Sequence, residues 1–340
     1  FSNVASTTFT DDEIDAMGIA IGDFDEDGDF DYYISNMMGN LLHIRNSGMT
    51  FSESAFTALV QVDSLVSWGT FFFDYDNDTY LDLFVANGGV MNMSEPQENT
   101  LFENQQDGTF QNVAMTTGMD SIRRSRGAVY ADFNNDGKLE LVVANVGQNY
   151  STSYNTSIYE NTGATGNHWV SLQLSGTFCN ADAYGAHVTL HSNGRSWLRE
   201  IGGGSSYLSQ NSSRAHFGLG NYTSIDSVIV EWPGGGTDIY LGLGIDQMHT
   251  LTQQTAAIST NDSFKHVHIY PNPTDNSVTI IQSAGHYDFV EIIDKNGSLL
   301  QTQTISGIKS ELDISTFSPG IYFVRLISSE GNETHKIVKL

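Results

Sequence analysis

The sequence of 340 residues has little cysteine, few basic residues and no long apolar run. Its single cysteine, Cys179, excludes an intrachain disulfide framework and a zinc site built on several cysteines. No apolar run reaches the roughly 18 to 20 residues that a membrane-spanning helix needs, and no segment of signal-peptide type opens the chain. Only 14 basic side chains stand against 40 acidic ones, so the net charge is −26. This charge disfavours nucleic acid and anionic membranes as partners and favours divalent cations.

The acidic residues are concentrated in the first half of the chain. Residues 1–160 contain 25 acidic and 5 basic residues. An even scatter of these acids would indicate only a solvated acidic face, but they recur at fixed spacings. The length allows two or three domains, and a hydrophobic content of 39% is that of a globular protein.

Three landmarks recur in the same order in this half. The sequence FSNVA at 1–5 returns as FSESA at 51–55 and FQNVA at 110–114, and an Asp-rich loop starts 22 or 23 residues after each phenylalanine. Each unit closes with HIRN, LFEN or IYEN, at 43–46, 101–104 and 158–161. The units therefore lie near 1–50, 51–109 and 110–164. They show no helical period, and short strands repeating at this length predict propeller blades or a solenoid.

Three blades are too few for a closed ring, which usually needs four to eight. Because the sequence begins on a repeat boundary, we expect further blades before Phe1. A partner chain that completes the ring is the alternative.

The Asp-rich loop is nine residues long and is flanked by strand-like segments. Positions 1, 3, 5 and 9 always carry a side-chain oxygen, and the backbone carbonyl at position 7 can add another. Oxygen donors without imidazole or thiolate favour Ca²⁺ over zinc or copper. Position 12, where an EF-hand has a bidentate Glu, is Ile34, Val85 or Val143, so these are not EF-hands. Four carboxylates about 4 Å apart repel by roughly 1 kcal/mol per pair in water and about 4 near a protein surface, so the loops imply a cation.

We therefore predict two to three structural calcium ions. The predicted ligands are Asp23, Asp25, Asp27, Asp29 and Asp31 in the first loop, Asp74, Asp76, Asp78, Tyr80 and Asp82 in the second, and Asp132, Asn134, Asp136, Lys138 and Glu140 in the third, with Asp29, Tyr80 and Lys138 acting through their backbone carbonyls.

The three loops are not equivalent. Gly28 and Gly137 occupy position 6, where the turn favours positive φ, whereas Thr79 in the second loop is expected to strain or distort its site. Asn134 replaces a carboxylate in the third loop, which should bind its ion more weakly. The loop at 23–31 is therefore the most secure prediction.

The pattern D-x-D-x-D-G-x-x-D between strands, with its Phe-x-Asn-Val units, resembles the FG-GAP or VCBS repeats of integrin-α-type propellers. The resemblance covers about residues 1–164. It implies that each ion ties a hairpin on a blade and is structural rather than catalytic, and that the function depends on the surfaces of the propeller.

Residues 165–253 alternate strand-length apolar runs with Gly and Asn turns, which is typical of a β-sandwich. The strings NADAYGA (180–186), GGGSSYLSQ (202–210), HFGLG (216–220) and VIVEWPGG (228–235) resemble the ASPIC/UnbV domain, which commonly follows such propellers. No activity is securely attached to that domain. The triple glycine lacks the spacing of a dinucleotide or phosphate-binding loop, and no nucleophile elbow occurs.

Two groups of side chains in this region have a structural and a functional interpretation. His187 and His191 would share one face of a strand, which permits a metal pair, but no third ligand converges on them and surface histidines are the simpler interpretation. Trp197, Trp232 and Tyr207 fit either a sugar-stacking platform or, more commonly, core packing.

The tail begins with a polar linker at 254–265. The strings YPNPT (270–274), GIYFV (320–324) and KIVKL (336–340) then resemble the type A C-terminal sorting domain of the type IX secretion system, over residues 266–340. A purely structural module is the alternative. The resemblance implies a small Ig-like β-sandwich, the type IX secretion machinery as a partner, and export to the outer cell surface of a Gram-negative, Bacteroidota-type bacterium.

The sequence thus predicts an all-β chain: a partial propeller of three blades, a β-sandwich and a small Ig-like sandwich. The preferred function is non-enzymatic binding of an extracellular carbohydrate or protein, and no catalytic residue is predicted. The alternative is a lyase- or dehydratase-type enzyme acting on polysaccharide, which a pocket gathering His, Tyr, Arg or Lys would favour. Arg123, Arg124 and Arg126 either receive an anionic sugar or balance neighbouring carboxylates.

Overall fold

Strands form nearly all of the regular structure in this computed structural model. It describes residues 2–340 except 47, 91–95, 148–154, 164, 255–266, 283–286, 296, 306–308 and 329–330. The chain forms two units, Phe1–Ile258 and Ser259–Leu340. The linker predicted at 254–265 lies outside the described residues, apart from Gln254.

The acidic half forms three antiparallel sheets. In chain order its strands are β1 (Ala16–Gly22), β2 (Asp31–Asn36), β3 (Leu41–Arg45), β4 (Phe51–Glu53), β5 (Ser67–Phe73), β6 (Asp82–Asn87), β7 (Gln97–Glu98), β8 (Thr100–Asn104), β9 (Phe110–Asn112), β10 (Ile122–Arg123), β11 (Ser125–Ala131), β12 (Glu140–Asn145) and β13 (Ser157–Tyr159). The sheet orders are β1-β2-β3-β4, β5-β6-β8-β9 and β11-β12-β13, and β7 pairs with β10. Each Asp-rich loop joins the first two strands of its sheet. The strand–loop–strand prediction is confirmed.

The sheets are offset from the sequence repeats by one strand. Phe51 opens the second repeat, but β4 pairs with β3 of the first sheet. Likewise Phe110 opens the third repeat, and β9 pairs with β8 of the second sheet. Each repeat therefore contributes the outer strand of the sheet before it, which links neighbouring sheets through the chain itself.

The middle sheet is buried on both faces because it lies between the other two. Every residue of β5 and β6 is buried. Phe72 packs in the core shared with the first sheet, whereas Phe71 and Phe73 pack in the core shared with the third. Neighbouring residues of a strand point to opposite faces, so the run of three phenylalanines fills two cores at once.

Two one-turn helices, α1 (Ala5–Thr8) and α2 (Ala114–Thr117), follow the Phe-x-Asn-Val landmark and were not predicted. The Asn of that landmark initiates the turn: Ala5 N donates to Asn3 Oδ1 at 3.0 Å, and Ala114 N donates to Asn112 Oδ1 at 3.0 Å. A single turn is too short to produce a helical period in the sequence.

The region after the blades is a β-sandwich, as predicted. Its strands are β14 (His168–Ser175), β15 (His187–Ser192), β16 (Arg195–Glu200), β17 (Ala215–Gly220), β18 (Ser227–Glu231), β19 (Thr237–Tyr240) and β20 (Gln247–Thr252). They form sheets of order β17-β14-β20 and β16-β15-β18-β19. Trp197 and Trp232 lie in the core between the sheets, which confirms the structural interpretation of these two aromatics.

A segment of the sandwich, residues 202–212, runs along the first strands of the three blade sheets. Each of these strands has a bulge with a glycine, at Gly18, Gly69 and Gly127. A Cβ added at Gly18 or Gly69 would lie 3.1 Å from Ser206 C or 2.9 Å from Ser206 Oγ, and one at Gly127 would lie 2.6 Å from Ser209 Oγ. At Gly18 and Gly69 an added Cβ would lie still closer to Trp68 O and Arg126 O of the next sheet, so these two glycines admit both the neighbouring strand and the segment, whereas at Gly127 the segment is the nearest neighbour.

The second unit is a two-sheet sandwich. Its strands are β21 (Val267–Tyr270), β22 (Ser277–Gln282), β23 (Phe289–Asp294), β24 (Leu299–Thr304), β25 (Lys309–Asp313), β26 (Gly320–Ser328) and β27 (Gly331–Lys339), in sheets of order β21-β22-β25 and β24-β23-β26-β27. Ile292, Leu312 and Val324 are among the residues of its core.

Candidate functional site

The first loop brings its acidic side chains together as predicted. Asp23, Asp25 and Asp27 each offer a carboxylate oxygen, and these three atoms lie within 4.8 Å of one another. Asp23 and Asp31 are buried, and Asp23 Oδ1 and Asp31 Oδ2 have no hydrogen-bond partner among the described residues. Burial raises the pKa of Asp23 to about 7 and that of Asp31 to about 8. Buried carboxylates with unpaired oxygens fit a divalent cation, which would stabilise their charged form.

The second loop repeats this arrangement with greater burial. Oxygens of Asp74, Asp76 and Asp78 lie within 4.8 Å of one another. Burial raises the pKa of Asp74 and Asp82 well above the usual range, and that of Asp76 to about 6. Thr79 has a φ of 95°, close to the 90° of Gly28 and the 83° of Gly137. Thr79 therefore takes the left-handed backbone conformation that glycine adopts in the other two loops, so the strain expected at a β-branched residue is present while the path of the loop is kept.

The third loop has the same internal hydrogen bonds as the second. Asp132 accepts from the N–H groups of Asp136 and Gly137 at 3.1 and 3.0 Å, as Asp74 does from Asp78 and Thr79 in the second loop at 3.0 and 2.9 Å. Glu140 Oε1 is buried without a partner among the described residues. The third loop thus keeps the backbone shape of the second, but its acidic side chains Asp132, Asp136 and Glu140 do not form a potential metal-holding group among the described residues, and Asn134 supplies a neutral oxygen.

Position 7 has a shared role in all three loops. The backbone N–H groups of Asp29, Tyr80 and Lys138 each donate to the position-5 carboxylate at 2.9 Å. This bond fixes the backbone at the residue whose carbonyl is the predicted ligand. The use of these carbonyls as ligands stays a prediction.

Position 4 of each loop contacts the β-sandwich, a role that sequence reasoning missed. Glu26, Asn77 and Asn135 have φ values of 60°, 61° and 59°, which turn their side chains away from the predicted ligands. Glu26 accepts hydrogen bonds from Arg195 and from Trp197 Nε1, Asn77 Oδ1 lies 2.7 Å from His216 Nε2, and Arg214 donates to Asn135 at 2.9 Å. A polar residue at position 4 in every loop was the available signal. The tips of the metal loops are therefore also the contact surface for the sandwich.

Neighbouring sheets are also tied at these loops. Asn104 of the second sheet donates to the carbonyl of Phe24 at 3.0 Å, and Asn161 donates to the carbonyl of Tyr75 at 2.7 Å. Both asparagines close the LFEN and IYEN landmarks. These two landmarks are therefore explained by a hydrogen bond from the side chain of their asparagine to the backbone carbonyl at position 2 of the loop in the preceding sheet.

A cavity of about 530 Å³ lies between the first strands of the blades and the sandwich. Its lining includes Asp74, Tyr130, Arg199, Ser206, Arg214 and His216. This cavity collects the residue types that we expected of a site on polysaccharide, but from positions that the sequence did not single out.

The remaining predicted side chains have mainly structural partners. Arg126 lies 4.1 Å over the Trp68 ring and donates to the carbonyls of Gly88 and Gly89, rather than to carboxylates. Tyr207 packs edge-to-face on Trp68.

The two histidines of β15 do not form a metal site with other described residues. His187 packs edge-to-face on Phe30 and lies 3.9 Å from Glu231, whereas His191 is buried. Neither belongs to a cluster of metal-ligating side chains within the described part of the chain.

Three family models match the chain. They are an FG-GAP-like repeat at residues 74–143, ASPIC and UnbV at 176–258, and a secretion system C-terminal sorting domain at 268–340. The chain therefore combines these three modules, in the order expected from the resemblances. The sorting domain indicates secretion by the type IX system to the cell surface of a Bacteroidota bacterium. No helix among the described residues has the length and hydropathy to span a membrane.

The chain is homologous to cartilage acidic protein 1. It is 28% identical over 244 residues to the Xenopus tropicalis protein and 29% identical over 243 residues to the human protein. These matches cover 69% and 68% of this chain but 36% and 35% of the relatives, so the chain spans about a third of their length.

Solved structures are only distantly similar. PorZ of Porphyromonas gingivalis, a surface component of the type IX secretion system, has a TM-score of 0.21 at 13% identity, over 96% of this chain and 52% of PorZ. An exo-β-1,3-galactanase of Phanerochaete chrysosporium has a TM-score of 0.26 at 10% identity, over 89% of this chain and 90% of that one. Similarities this low carry no functional argument.

Proposed function

We propose that this chain is a calcium-stabilised cell-surface protein that binds carbohydrate or protein and catalyses no reaction. The observation that carries the metal assignment is the gathering of three carboxylates in each of the first two loops, Asp23, Asp25 and Asp27 in one and Asp74, Asp76 and Asp78 in the other, beside unpaired buried oxygens of Asp23 and Asp31. Oxygen-only ligands of this kind suit Ca²⁺. The calcium-loop ligands would be the side chains at positions 1, 3, 5 and 9 and the carbonyl at position 7.

The ion would supply positive charge that offsets the clustered carboxylates. The protein itself supplies the contact with the sandwich, because the backbone of each loop directs the side chain at position 4 towards it. The metal centres are therefore proposed to stabilise the contact between two modules rather than to act on a ligand.

Calcium removal tests the metal assignment. An ion that binds only the folded state stabilises it by about 2.7 kcal/mol per site when free calcium is 100 times Kd. We expect a chelator to lower the melting temperature of the first unit, and added calcium to restore it. An unchanged melting temperature after chelation would remove the basis of the proposal. A glycan array probed with and without chelator then measures binding.

The side chains that line the cavity are the observation that favours the alternative, an enzymatic function. Tyr130, Arg199, Arg214 and His216 all line it. A lyase or dehydratase acting on polysaccharide needs a base and a cation near a carboxylate, and these residue types supply both. Incubating the purified protein with a panel of polysaccharides, and assaying for unsaturated products, separates catalysis from binding.

A further inference from the structure

The cavity between the blades and the sandwich contains a poorly satisfied cation. Arg199 is the fifth residue of β16, and its side chain lies over the ring of Phe217 at 5.2 Å. Its Nη1 donates to the carbonyl of Leu198 at 2.9 Å. Its Nε and Nη2 are both buried and have no hydrogen-bond partner among the described residues. A buried guanidinium with unpaired donors is costly, and a carboxylate is the partner that matches two of them at once.

The nearby acidic loops do not supply that partner. Burial lowers the pKa of Arg199, and the charges of Asp74 and Asp23 oppose this shift, so both carboxylates act on it from a distance. However, Asp74 directs its oxygens to the backbone of its own loop. Arg199 therefore faces the cavity side of the loops without a direct ion pair in the described part of the chain.

Other polar atoms around the cavity are also unpaired. Ser206 Oγ and His216 Nδ1 are buried and have no partner among the described residues, whereas His216 Nε2 is held by Asn77 at 2.7 Å. These atoms suit the hydroxyl groups of a sugar, which both donate and accept hydrogen bonds. Leu81 and Leu139 add apolar wall, and the volume of about 530 Å³ lies within the roughly 300–1,000 Å³ range of small-ligand pockets.

The segment beside the cavity is conformationally strained. Ser206 and Leu208 have φ values of 64° and 47°, and Ser205 pairs with Ser209 to close a tight turn. Leu208, at the tip of this turn, is 91% exposed although it also lines the cavity. Left-handed conformations at residues other than glycine are concentrated at binding sites, where the surrounding structure holds them in place.

We infer that this cavity binds a carboxylate-bearing sugar, with Arg199 receiving the carboxylate and Ser206 and His216 receiving hydroxyl groups. A single negative charge fits better than the nearly double charge of a phosphate monoester, because Asp74 and Glu200 also line the cavity. This inference rests on the proposed binding function, for which it names the ligand class.

The test uses the full chain with saturating calcium and galacturonic acid oligosaccharides as the probe. Calorimetry compares them with neutral galactose oligosaccharides of equal length and with acetate. We expect the acidic sugar to bind at least about tenfold more tightly than either, because the neutral sugar lacks the carboxylate for Arg199 and acetate lacks the hydroxyl groups for Ser206 and His216. Equal binding of the neutral sugar or of acetate, or no binding of the acidic sugar, overturns the inference.

Variants then test the assigned residue. Arg199→Gln should weaken acidic-sugar binding by about 10- to 100-fold, and Lys309→Gln, at an exposed position of β25 in the second unit, should leave it unchanged. Two further variants test the site if Arg199→Gln does not fold. Arg199→Lys keeps the positive charge but loses the paired N–H donors of the guanidinium, and Ser206→Ala removes one hydroxyl group, so either should also weaken acidic-sugar binding. An Arg199→Gln protein that differs only in calcium affinity contradicts the inference.

The outcomes also separate this site from the wider proposal. Glycan-array binding that survives Arg199→Gln leaves the binding function intact and removes the cavity assignment. An array that shows no binding at all contradicts the cavity assignment and the carbohydrate alternative of the proposed function.

Discussion

The second and third metal loops have the same internal hydrogen bonds but different surroundings. In the second loop Asp74, Asn77 and Asp82 are all buried, whereas Asn134 and Asp136 of the third are exposed. The difference arises because the second sheet has a neighbour on each side and the sandwich above its loop. A ranking from the sequence alone places the second loop below the first because Thr79 occupies the glycine position of the turn. The structure shows that position in the assembly, rather than ligand type, decides how deeply each set of carboxylates is buried.

The largest expected effect comes from the contact over the second loop. A Cβ added at Gly218 would overlap Asp74 Oδ2 and lie 2.5 Å from Asn77 Cα, and backbone atoms cannot yield cheaply. We expect Gly218→Ala to lower the free energy of unfolding by about 3 kcal/mol, measured by urea denaturation.

Gly202→Ala is the matched control for this change. An added Cβ at Gly202 meets nothing within 4 Å, so its effect should stay within about 0.5 kcal/mol. If the two variants unfolded alike, the claim that the second loop is tightly covered would be wrong.

A smaller effect concerns the buried carboxylates of the first loop and the pH. In the unfolded chain Asp titrates near 3.8, but in the folded, metal-free protein the pKa of Asp23 is about 7 and that of Asp31 about 8. Between pH 3.8 and about pH 8 the folded state therefore binds more protons than the unfolded state, so the free energy of unfolding falls as the pH rises through this range. We expect the metal-free protein to have a lower melting temperature at pH 8 than at pH 5.

Two controls sharpen this prediction. Saturating calcium should reduce the loss, because it favours the charged carboxylates. Asp23→Asn with Asp31→Asn should reduce the pH dependence without removing it, because burial also raises the pKa of Asp74, Asp76 and Asp82. Asp11→Asn, at an exposed position outside the loops, should not reduce it. A metal-free protein that gains stability from pH 5 to pH 8 would contradict the prediction.

The smallest effect tests ligand charge in the third loop. Asn134→Asp restores a carboxylate at position 3 and should raise calcium affinity at that site, on the order of tenfold, with little change in the metal-free protein. Calorimetry with the first two loops disabled measures it. Asn135→Asp is the control, since position 4 faces Arg214 instead of the ligands. Equal gains from both variants would indicate a general charge effect.

Local patterns in the sequence predicted much of this molecule. They predicted the three loops, their flanking strands and the sandwich core at Trp197, because turns and strands impose requirements on nearby residues. The one-turn helices were not predicted, since Asn3 and Asn112 act over a single turn.

Contacts between unlike modules could not be predicted. Glu26 and Arg195 are separated by 169 positions, and a pair of this kind leaves no periodic signal. Gly18, Gly69 and Gly127 each stand five residues before a loop, a regularity visible in the sequence. Its causes, the close approach of the next sheet at Gly18 and Gly69 and of residues 202–212 at all three glycines, become apparent only in the folded chain.

Position 4 of the loops has a thermodynamic consequence. Since one nine-residue segment both gathers the predicted calcium ligands and contacts the sandwich through Glu26, Asn77 or Asn135, the two equilibria are linked. Linkage is reciprocal, so any molecule that holds the sandwich against the loops should raise calcium affinity by the same factor by which calcium raises affinity for that molecule. On this basis the concentration of free calcium outside the cell would set how strongly the protein holds its partner.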